Sequence, residues 1–317
     1  MNRILLRILE TPQEMEAVED LQRQVWPGND ADIVPGHMLL AAAHNGGLVI
    51  GAYNVGEPGD GVDNTELEWD EIPPQAALVG FVFGFPGLYT TPDGPRPKHH
   101  SHMLGVLSDL RDRGIGFKLK RAQWQMVRHQ GLDRITWTYD PLLSRNAHLN
   151  IARLGAVCNT YLREAYGEMR DGLNVGLPSD RFQVDWWVRS QRVNRRLSKR
   201  LRRPLDLAHY LAAETTILNP SKIGDDGLPR PPAAFQLGEI KNVHAEQDEQ
   251  PLVLVEIPAD FLALKAANPA VALEWRLHTR HLFEALFERG YLATDFVHLP
   301  GMYGRSFYVL SYGEAKV

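Results

Sequence analysis

Apolar positions along the first 190 residues alternate between the spacing of strands and the spacing of helices. Thr11 and Pro12 favour the start of a helix. The apolar residues after them lie three or four positions apart, and this spacing predicts a helix that ends at Trp26. Two more helices are predicted at residues 115–131 and 144–154. Strands are predicted at residues 4–9, 48–54, 78–85, 100–107, 134–139 and 182–188. Residues 56–74 and 91–98, rich in Gly or Pro, predict surface loops.

The last third of the chain carries a shorter set of elements. Apolar residues recur at every fourth position of the basic segment 191–203, which predicts an amphipathic connecting helix, with a phosphate- or nucleic-acid-binding face as the alternative. Residues 223–234 indicate a linker. Strands at 251–257, 291–298 and 306–311 and a helix at 269–289 follow. This order resembles that of residues 102–139 and predicts a degenerate repeat, in which Gly290 aligns with Gly131.

Composition and charge exclude several classes of protein. With 34 Lys and Arg against 39 Asp and Glu, the net charge of -5 argues against nucleic acid or an acidic membrane as the main partner. The single cysteine, Cys158, excludes a disulfide framework or a cysteine-rich metal site, and we expect it to be buried. No apolar run approaches the roughly 20 residues that span a bilayer, and residues 1–10 lack the apolar core of a signal peptide. The prediction is a soluble, cytoplasmic protein.

The stretch from Leu104 to Leu119 contains the most informative motif. A predicted strand leads into Arg111-x-x-Gly114-x-Gly116, where a predicted helix begins. The first amides of a helix have no partner within it, the helix dipole makes this end positive, and glycine lets the backbone approach a diphosphate closely. The motif differs from that of a dinucleotide fold, which has three glycines, and from that of a P-loop, which ends in Lys-Ser/Thr. Residues 111–118 are therefore predicted to form a pyrophosphate cradle.

A second segment, residues 140–156, follows one predicted strand later. Together the two segments resemble the GNAT superfamily of acyl-CoA-dependent N-acyltransferases. The first matches that family's pyrophosphate motif, and the second matches a conserved helix that packs beside the thioester. The matching residues are Arg111, Gly114, Gly116, Ala147, Arg153 and Gly155. The resemblance covers residues 4–188 and implies an α/β fold with a mixed, mostly antiparallel central sheet flanked by helices, followed by a smaller C-terminal α/β unit resembling half of the same fold.

The resemblance also implies acetyl-CoA or another acyl-CoA as co-substrate. The backbone near Val106 would pair with the pantetheine arm where the strand splays, and the diphosphate would lie on the glycine turn. The implied binding residues are Leu104, Val106, Arg111, Asp112, Arg113, Gly114, Ile115, Gly116, Phe117, Lys118, Asn146, Asn150 and Arg153. In the predicted repeat, Leu273 and Trp275 stand at the positions of the two cradle glycines, so the second unit is predicted to have lost this site.

The general acid departs from the family pattern. Ile151 stands where many members have a tyrosine that protonates the leaving thiolate, and an isoleucine cannot donate a proton. The acid is then another group, such as Tyr161, Tyr166 or water, or the thiolate leaves unassisted.

The candidate base is His102, because an imidazole suits the removal of a proton from an ammonium nucleophile. On a regular strand it faces the same side as His100. The alternatives are histidines without a chemical role and a metal site, for which no acidic or cysteine partner lies nearby in the sequence. No Ser or Cys with a paired base is apparent, which favours direct attack of the amine on the thioester. Charges and aromatics at residues 180–187 either line an acceptor pocket or fill the core.

The sequence thus predicts an N-acyltransferase, most simply an acetyltransferase, that acts on a small-molecule or peptide amine. The alternatives are a catalytically inactive acyl-CoA-binding or regulatory protein and a nucleic-acid-associated module that uses residues 191–203. The predicted domains are an acyl-CoA-binding domain at residues 1–190, a basic helix and linker at 191–234, and a degenerate half domain at 235–317. An oligomer is compatible with the sequence, and the acceptor and the acyl-chain length are not specified by it.

Overall fold

The computed structural model describes residues 3–28, 32–56, 67–167, 176–198, 204–235, 237, 251–301 and 304–313. Two compact units are formed, one from Met1–Trp137 and Trp187–Arg189 and the other from Thr138–Trp186 and Ser190–Val317. This division groups Thr138–Trp186 with Ser190–Val317, whereas the domain boundaries predicted from the sequence lie at residues 190 and 234 and stay a prediction.

The first unit is built on a sheet with the strand order β1-β2-β3-β4-β5. Its elements are β1 (Ile4–Ile8), α1 (Pro12–Val25), α2 (Gly36–His44), β2 (Leu48–Asn54), β3 (Ala77–Thr91), β4 (Gly94–Val106), α3 (Ile115–His129) and β5 (Arg134–Tyr139). The first four strands pair antiparallel, and β5 runs parallel to β4. The chain passes into the second unit within β5, after Trp137.

The predicted apolar stripes form the core of this unit. Thr11 and Glu14 cap the start of α1 reciprocally through side chain and backbone, and the predicted stripe of α1 is buried. From α3, Ile115, Leu119 and Ala122 pack in one cluster with residues of β1, β2 and β3. The helices thus bury one face each on the sheet, as the spacing predicts.

The second unit has the strand order β7-β6-β12-β13-β11-β8, antiparallel except for the last pair. Its elements are α4 (Ser144–Ala147), a π-helical segment (His148–Arg153), β6 (Val157–Leu162), β7 (Arg181–Trp187), α5 (Gln191–Leu197), α6 (Leu207–Ala212), β8 (Thr216–Ile217), β9 (Lys222–Ile223), β10 (Pro229–Arg230), β11 (Val253–Pro258), α7 (Phe261–Ala267), α8 (Pro269–Glu288), β12 (Tyr291–Leu299) and β13 (Arg305–Tyr312). The mixed, mostly antiparallel sheet architecture is therefore confirmed.

The predicted repeat is not confirmed by the strand pairing. β4 and β5 pair with each other, whereas β11 and β12 lie on opposite sides of β13. Trp275 lies inside α8 and is buried within the second unit, and the start of α8 is capped by the Asn268 side chain rather than by a glycine. Gly290 and Gly131 do share a left-handed conformation after their helices.

Two predicted irregular segments contain strands. The surface loop predicted at residues 91–98 is wrong: β3 runs to Thr91 and β4 starts at Gly94, so the two strands form a tight hairpin. Pro95 and Pro97 are accommodated because β4 pairs with β5 only from His99 onward, so a missing N–H costs no bond on that side. The linker predicted at 223–234 contains the short β9–β10 hairpin. The part of the predicted loop 56–74 at residues 57–66 lies outside the described residues.

Candidate functional site

A fork between β4 and β5 is the central feature of the first unit. The two parallel strands are in register at His99 with Ile135 and at His100 with Thr136, and the pairing ends there. β4 nevertheless continues to Val106, still paired with β3 on its other side. Beyond the fork, the edge of β4 that faces β5 therefore presents backbone groups to an extended ligand.

The far end of β4 leads into the predicted glycine turn. After a short 3-10 turn at Ser108–Leu110, Asp112 and Gly114 both take left-handed conformations, with φ of 62° and 82°. Gly114 is the N-cap of α3, no side chain caps the helix, and open space surrounds the position that a Cβ would occupy. Left-handed turns of this kind turn successive N–H groups to one side, which is the geometry of an anion-binding nest.

The first turn of α3 supplies the amides that this nest needs. The first internal bond of the helix runs from the Lys118 N–H to the Gly114 carbonyl, so the N–H groups of Ile115 and Gly116 precede the helical ladder. The dipole of a 15-residue helix adds partial positive charge at the same end. An anionic group such as a diphosphate fits this position.

Arg111 holds the turn in place through its side chain. Its guanidinium donates to the carbonyl of Val106, at 3.2 Å from Nε, and to the carbonyl of Val25, at 3.5 Å from Nη2. The side chain thus ties the end of β4 and the end of α1 to the turn. This arrangement favours a structural task for the Arg111 side chain.

The remaining predicted cradle residues differ in exposure. Asp112 and Arg113 are exposed, Phe117 is half-buried and Lys118 is buried. Leu104 and Val106 are half-buried, and their side chains pack against the core cluster that contains Ile115 and Leu119.

His100 and His102 lie on one side of β4, as predicted. Their ring centroids are 6.1 Å apart, and Phe85 lies within 6 Å of both. His102 is an exposed residue, but desolvation beside the neighbouring rings lowers its pKa below 6.5. Burial, together with the charges of His102 and Lys98, lowers the pKa of His100 to about 4. Both imidazoles are therefore neutral at pH 7 and can accept a proton.

A buried polar network on the opposite face of β4 was missed from the sequence. The Lys120 ammonium donates to Ser101 Oγ at 2.7 Å and to Gln123 Oε1 at 3.1 Å, and it lies 3.7 Å from the centre of the Trp137 ring. Gln123 Nε2 in turn lies 3.1 Å from the Nε2 of His99, whose pKa burial lowers to about 3. A lysine in a helical stripe gives no sequence signal of such a contact, because its partners come from other strands.

The other predicted site residues belong to the second unit. Asn146 is half-buried, Asn150 is buried in the π-helical segment, and Arg153 is exposed, with its pKa lowered by desolvation. Tyr161 donates its hydroxyl hydrogen to Asp180 at 2.8 Å, and burial raises the pKa of this phenol. Its proton is therefore engaged by a carboxylate and is held tightly.

The core interpretation holds for most of the other candidates. Phe182 and Trp186 are fully buried, and burial raises the pKa of the Cys158 thiol, which makes it a poor nucleophile. In α5, Val193 and Leu197 are buried, as the amphipathic pattern predicts. Arg192 donates to the Gly155 carbonyl, so part of the basic segment is structural, and residues 199–203 lie outside the described part of the chain.

Two general features of the described residues bear on the class of site. None of the helices described is long and apolar enough to cross a membrane. Within the same residues, no group of three or more His, Cys, Asp and Glu side chains is placed to hold a metal ion.

Neither a family model nor a curated protein matches the sequence. Solved structures do match. NAA60 from Arabidopsis thaliana in complex with acetyl-CoA is 16% identical, over 58% of this chain and 99% of that chain, with a TM-score of 0.42. A GNAT-family acetyltransferase from Streptococcus pneumoniae is 14% identical over 58% of this chain and 98% of that chain, with a TM-score of 0.39. The IAA acetyltransferase from Bacillus cereus is 14% identical over 58% of this chain and 99% of that chain, with a TM-score of 0.37.

The order of elements from β1 to β5, the fork and the glycine turn at the start of α3 are the features that the sequence resemblance implies.

Proposed function

We propose that the chain is an acyl-CoA-dependent N-acyltransferase, most simply an acetyltransferase, that acts on a primary amine of a small molecule or peptide. The observation that carries the proposal is the continuity of two features: a fork that exposes one edge of β4, and a glycine-capped helix start at the end of the same strand. An extended ligand with an anionic diphosphate at one end fits this combination.

Each part of the site then has a task. The Ile115 and Gly116 amides bind the diphosphate, and the backbone of β4 between the fork and Val106 pairs with the pantetheine arm. Bound acyl-CoA supplies an activated thioester carbonyl. A backbone N–H of β4 near the fork stabilises the oxyanion that forms when the amine attacks that carbonyl directly.

His102 is proposed as the base that removes the proton of the attacking amine. His102→Gln is expected to lower kcat about 100-fold, the lower end of the usual contribution of a general base, with little change in acetyl-CoA affinity. Because the pKa of His102 is lowered, the imidazole stays neutral below pH 6.5, and kcat/KM falls only as pH drops through that lowered pKa. Steady-state kinetics over pH 5–9 measure both effects. His129→Gln, at the exposed end of α3, is the control and should match the wild type.

A catalytically inactive acyl-CoA-binding protein is the second candidate. It is favoured by the buried Ile151 and by the engagement of the Tyr161 hydroxyl with Asp180. Release of CoA from acetyl-CoA, followed with a thiol reagent in the presence of a panel of amines, separates the two. The proposed transferase releases CoA in an amine-dependent manner, whereas an inactive binder retains acetyl-CoA intact with every amine.

A further inference from the structure

The buried amine of Lys120 lies at the apex of the fork. Ser101 and Trp137 are the first residues of β4 and β5 beyond the last paired positions, His100 and Thr136. Lys120 reaches from α3 to both of them, with 2.7 Å to Ser101 Oγ and 3.7 Å to the Trp137 ring centre. A titratable side chain therefore lies where the two strands part.

The partners of this amine suit its protonated form. An ammonium has three hydrogens to donate, and the Ser101 hydroxyl oxygen, the Gln123 amide oxygen and the face of Trp137 are three acceptors. The orientation of the Gln123 amide is set by His99, which lies against its nitrogen. These three acceptors thus offset part of the cost of keeping a proton on the buried Lys120 amine.

The Ser101 hydroxyl can donate a hydrogen bond as well as accept one. Its oxygen accepts from Lys120, so its own O–H must point elsewhere, and no other partner of this hydroxyl is found within the described residues. The Lys120 ammonium thus donates to the Ser101 oxygen, and the hydrogen of the buried Ser101 hydroxyl is left for a further acceptor.

The distance along β4 places this hydroxyl near the reacting end of the proposed ligand. At about 3.3 Å per residue, the five steps from Val106 back to Ser101 span about 16 Å. An extended pantetheine arm has a similar length. With its diphosphate on the first turn of α3, its sulfur reaches the apex of the fork.

We propose that Ser101 and Lys120 form the proton relay that protonates the leaving thiolate of CoA. This inference rests on the function proposed above. When the tetrahedral intermediate collapses, the carbon–sulfur bond breaks and its electron pair passes to sulfur. The Ser101 hydroxyl gives its proton to sulfur, and Lys120 gives a proton to the Ser101 oxygen. Lys120 is left neutral and is reprotonated from water, and the products are the amide and the CoA thiol.

The electrostatics of the site match this task. Burial lowers the pKa of Lys120 well below 10.5, so its ammonium is a stronger acid than that of an exposed lysine. An acid transfers its proton most effectively when its pKa lies near that of the accepting group and the working pH. Ser101 is the catalytic residue of the pair, and Lys120 acts through it. The relay thus takes the place of the acid that is lost with Ile151.

The test uses the thiol pKa of bound CoA, followed by the ultraviolet absorbance of the thiolate during a pH titration. Relay donors that stabilise the thiolate are expected to lower this pKa in the wild type, with an about tenfold shift in the ionisation equilibrium relative to free CoA. Lys120→Met, which keeps the length of the side chain, and Ser101→Ala should each remove the shift while CoA remains bound. Lys222→Met, at an exposed position of the second unit, should keep it. Thermal unfolding checks that each variant is folded.

Each outcome decides one question. Bound CoA with the same thiol pKa in the wild type and in both variants would overturn the relay and leave the proposed function in place. Failure of the wild type to bind CoA would overturn the proposed function and the relay with it.

A turnover measurement distinguishes a relay from a merely structural contact. Each single variant should lower kcat about 100-fold without raising the Kd of acetyl-CoA, and the double variant should lose no more than either single one. Losses that multiply in the double variant, or a raised Kd, would contradict the relay.

Discussion

Gly116→Glu is expected to abolish acyl-CoA binding and to leave the protein folded. The new carboxylate would lie in the first turn of α3, where the diphosphate is proposed to bind, and would repel it at short range. The fold should tolerate the change, because glutamate is a better helix former than glycine by roughly 0.5–1 kcal/mol and acidic residues are favourable at a helix start. Isothermal titration with acetyl-CoA and with free CoA should show a Kd raised at least about 100-fold, which is about 2.7 kcal/mol.

Gln13→Glu provides a matched control. Gln13 is the second residue of α1, as Gly116 is the second residue of α3, and it is exposed. The same carboxylate at the start of a different helix should leave the Kd unchanged. A folded Gly116→Glu protein that binds CoA as tightly as Gln13→Glu would show that the diphosphate lies elsewhere.

Gly84→Ala is expected to lower the free energy of unfolding by about 3 kcal/mol, a large value for the addition of one methyl group. A Cβ at this position of β3 would lie 2.2 Å from Nε2 of the buried His99 and 2.6 Å from the backbone oxygen of His100. Neither neighbour can move freely, since His99 contacts Gln123 and His100 is paired with β5. Urea unfolding followed by circular dichroism measures the change.

Gly87→Ala tests whether this effect is local. Gly87 lies in the same strand, and its added Cβ would meet only the Lys98 side chain, at 3.8 Å. This variant should be as stable as the wild type or slightly more stable, because alanine restricts the unfolded chain more than glycine does. Equal stability of the two variants would contradict the close packing between Gly84 and His99.

Elements with a clear apolar period were predictable from the sequence. The strands at residues 48–54 and 134–139 have the predicted bounds, and α1 has its predicted capping residue Thr11. Helix α2 was missed because only Leu39 of its residues is buried, so it has no apolar stripe to detect. Strand β6 was missed because its buried and exposed residues do not alternate, and helix α7 was missed because only two of its seven residues are buried.

The candidate site was predictable where it depends on neighbours in the chain. The glycine turn at Gly114 is local, and its backbone conformation follows from its residue types. The Lys120–Ser101 contact could not be predicted from the sequence, because it forms between a helix and a strand that meet only through tertiary packing. The Asp180 partner of Tyr161 is likewise 19 residues away along the chain, in a loop beside β7.

Amide hydrogen exchange at the start of α3, in the presence and absence of acetyl-CoA, tests the central claim most directly. If the diphosphate lies on this helix start, the Ile115 and Gly116 amides should exchange more slowly in the complex, together with backbone amides of β4 between the fork and Val106. Amides in the first turn of α1 should be unaffected and serve as the internal reference. Saturating acetyl-CoA without added protection at Ile115 and Gly116 would contradict the proposed site.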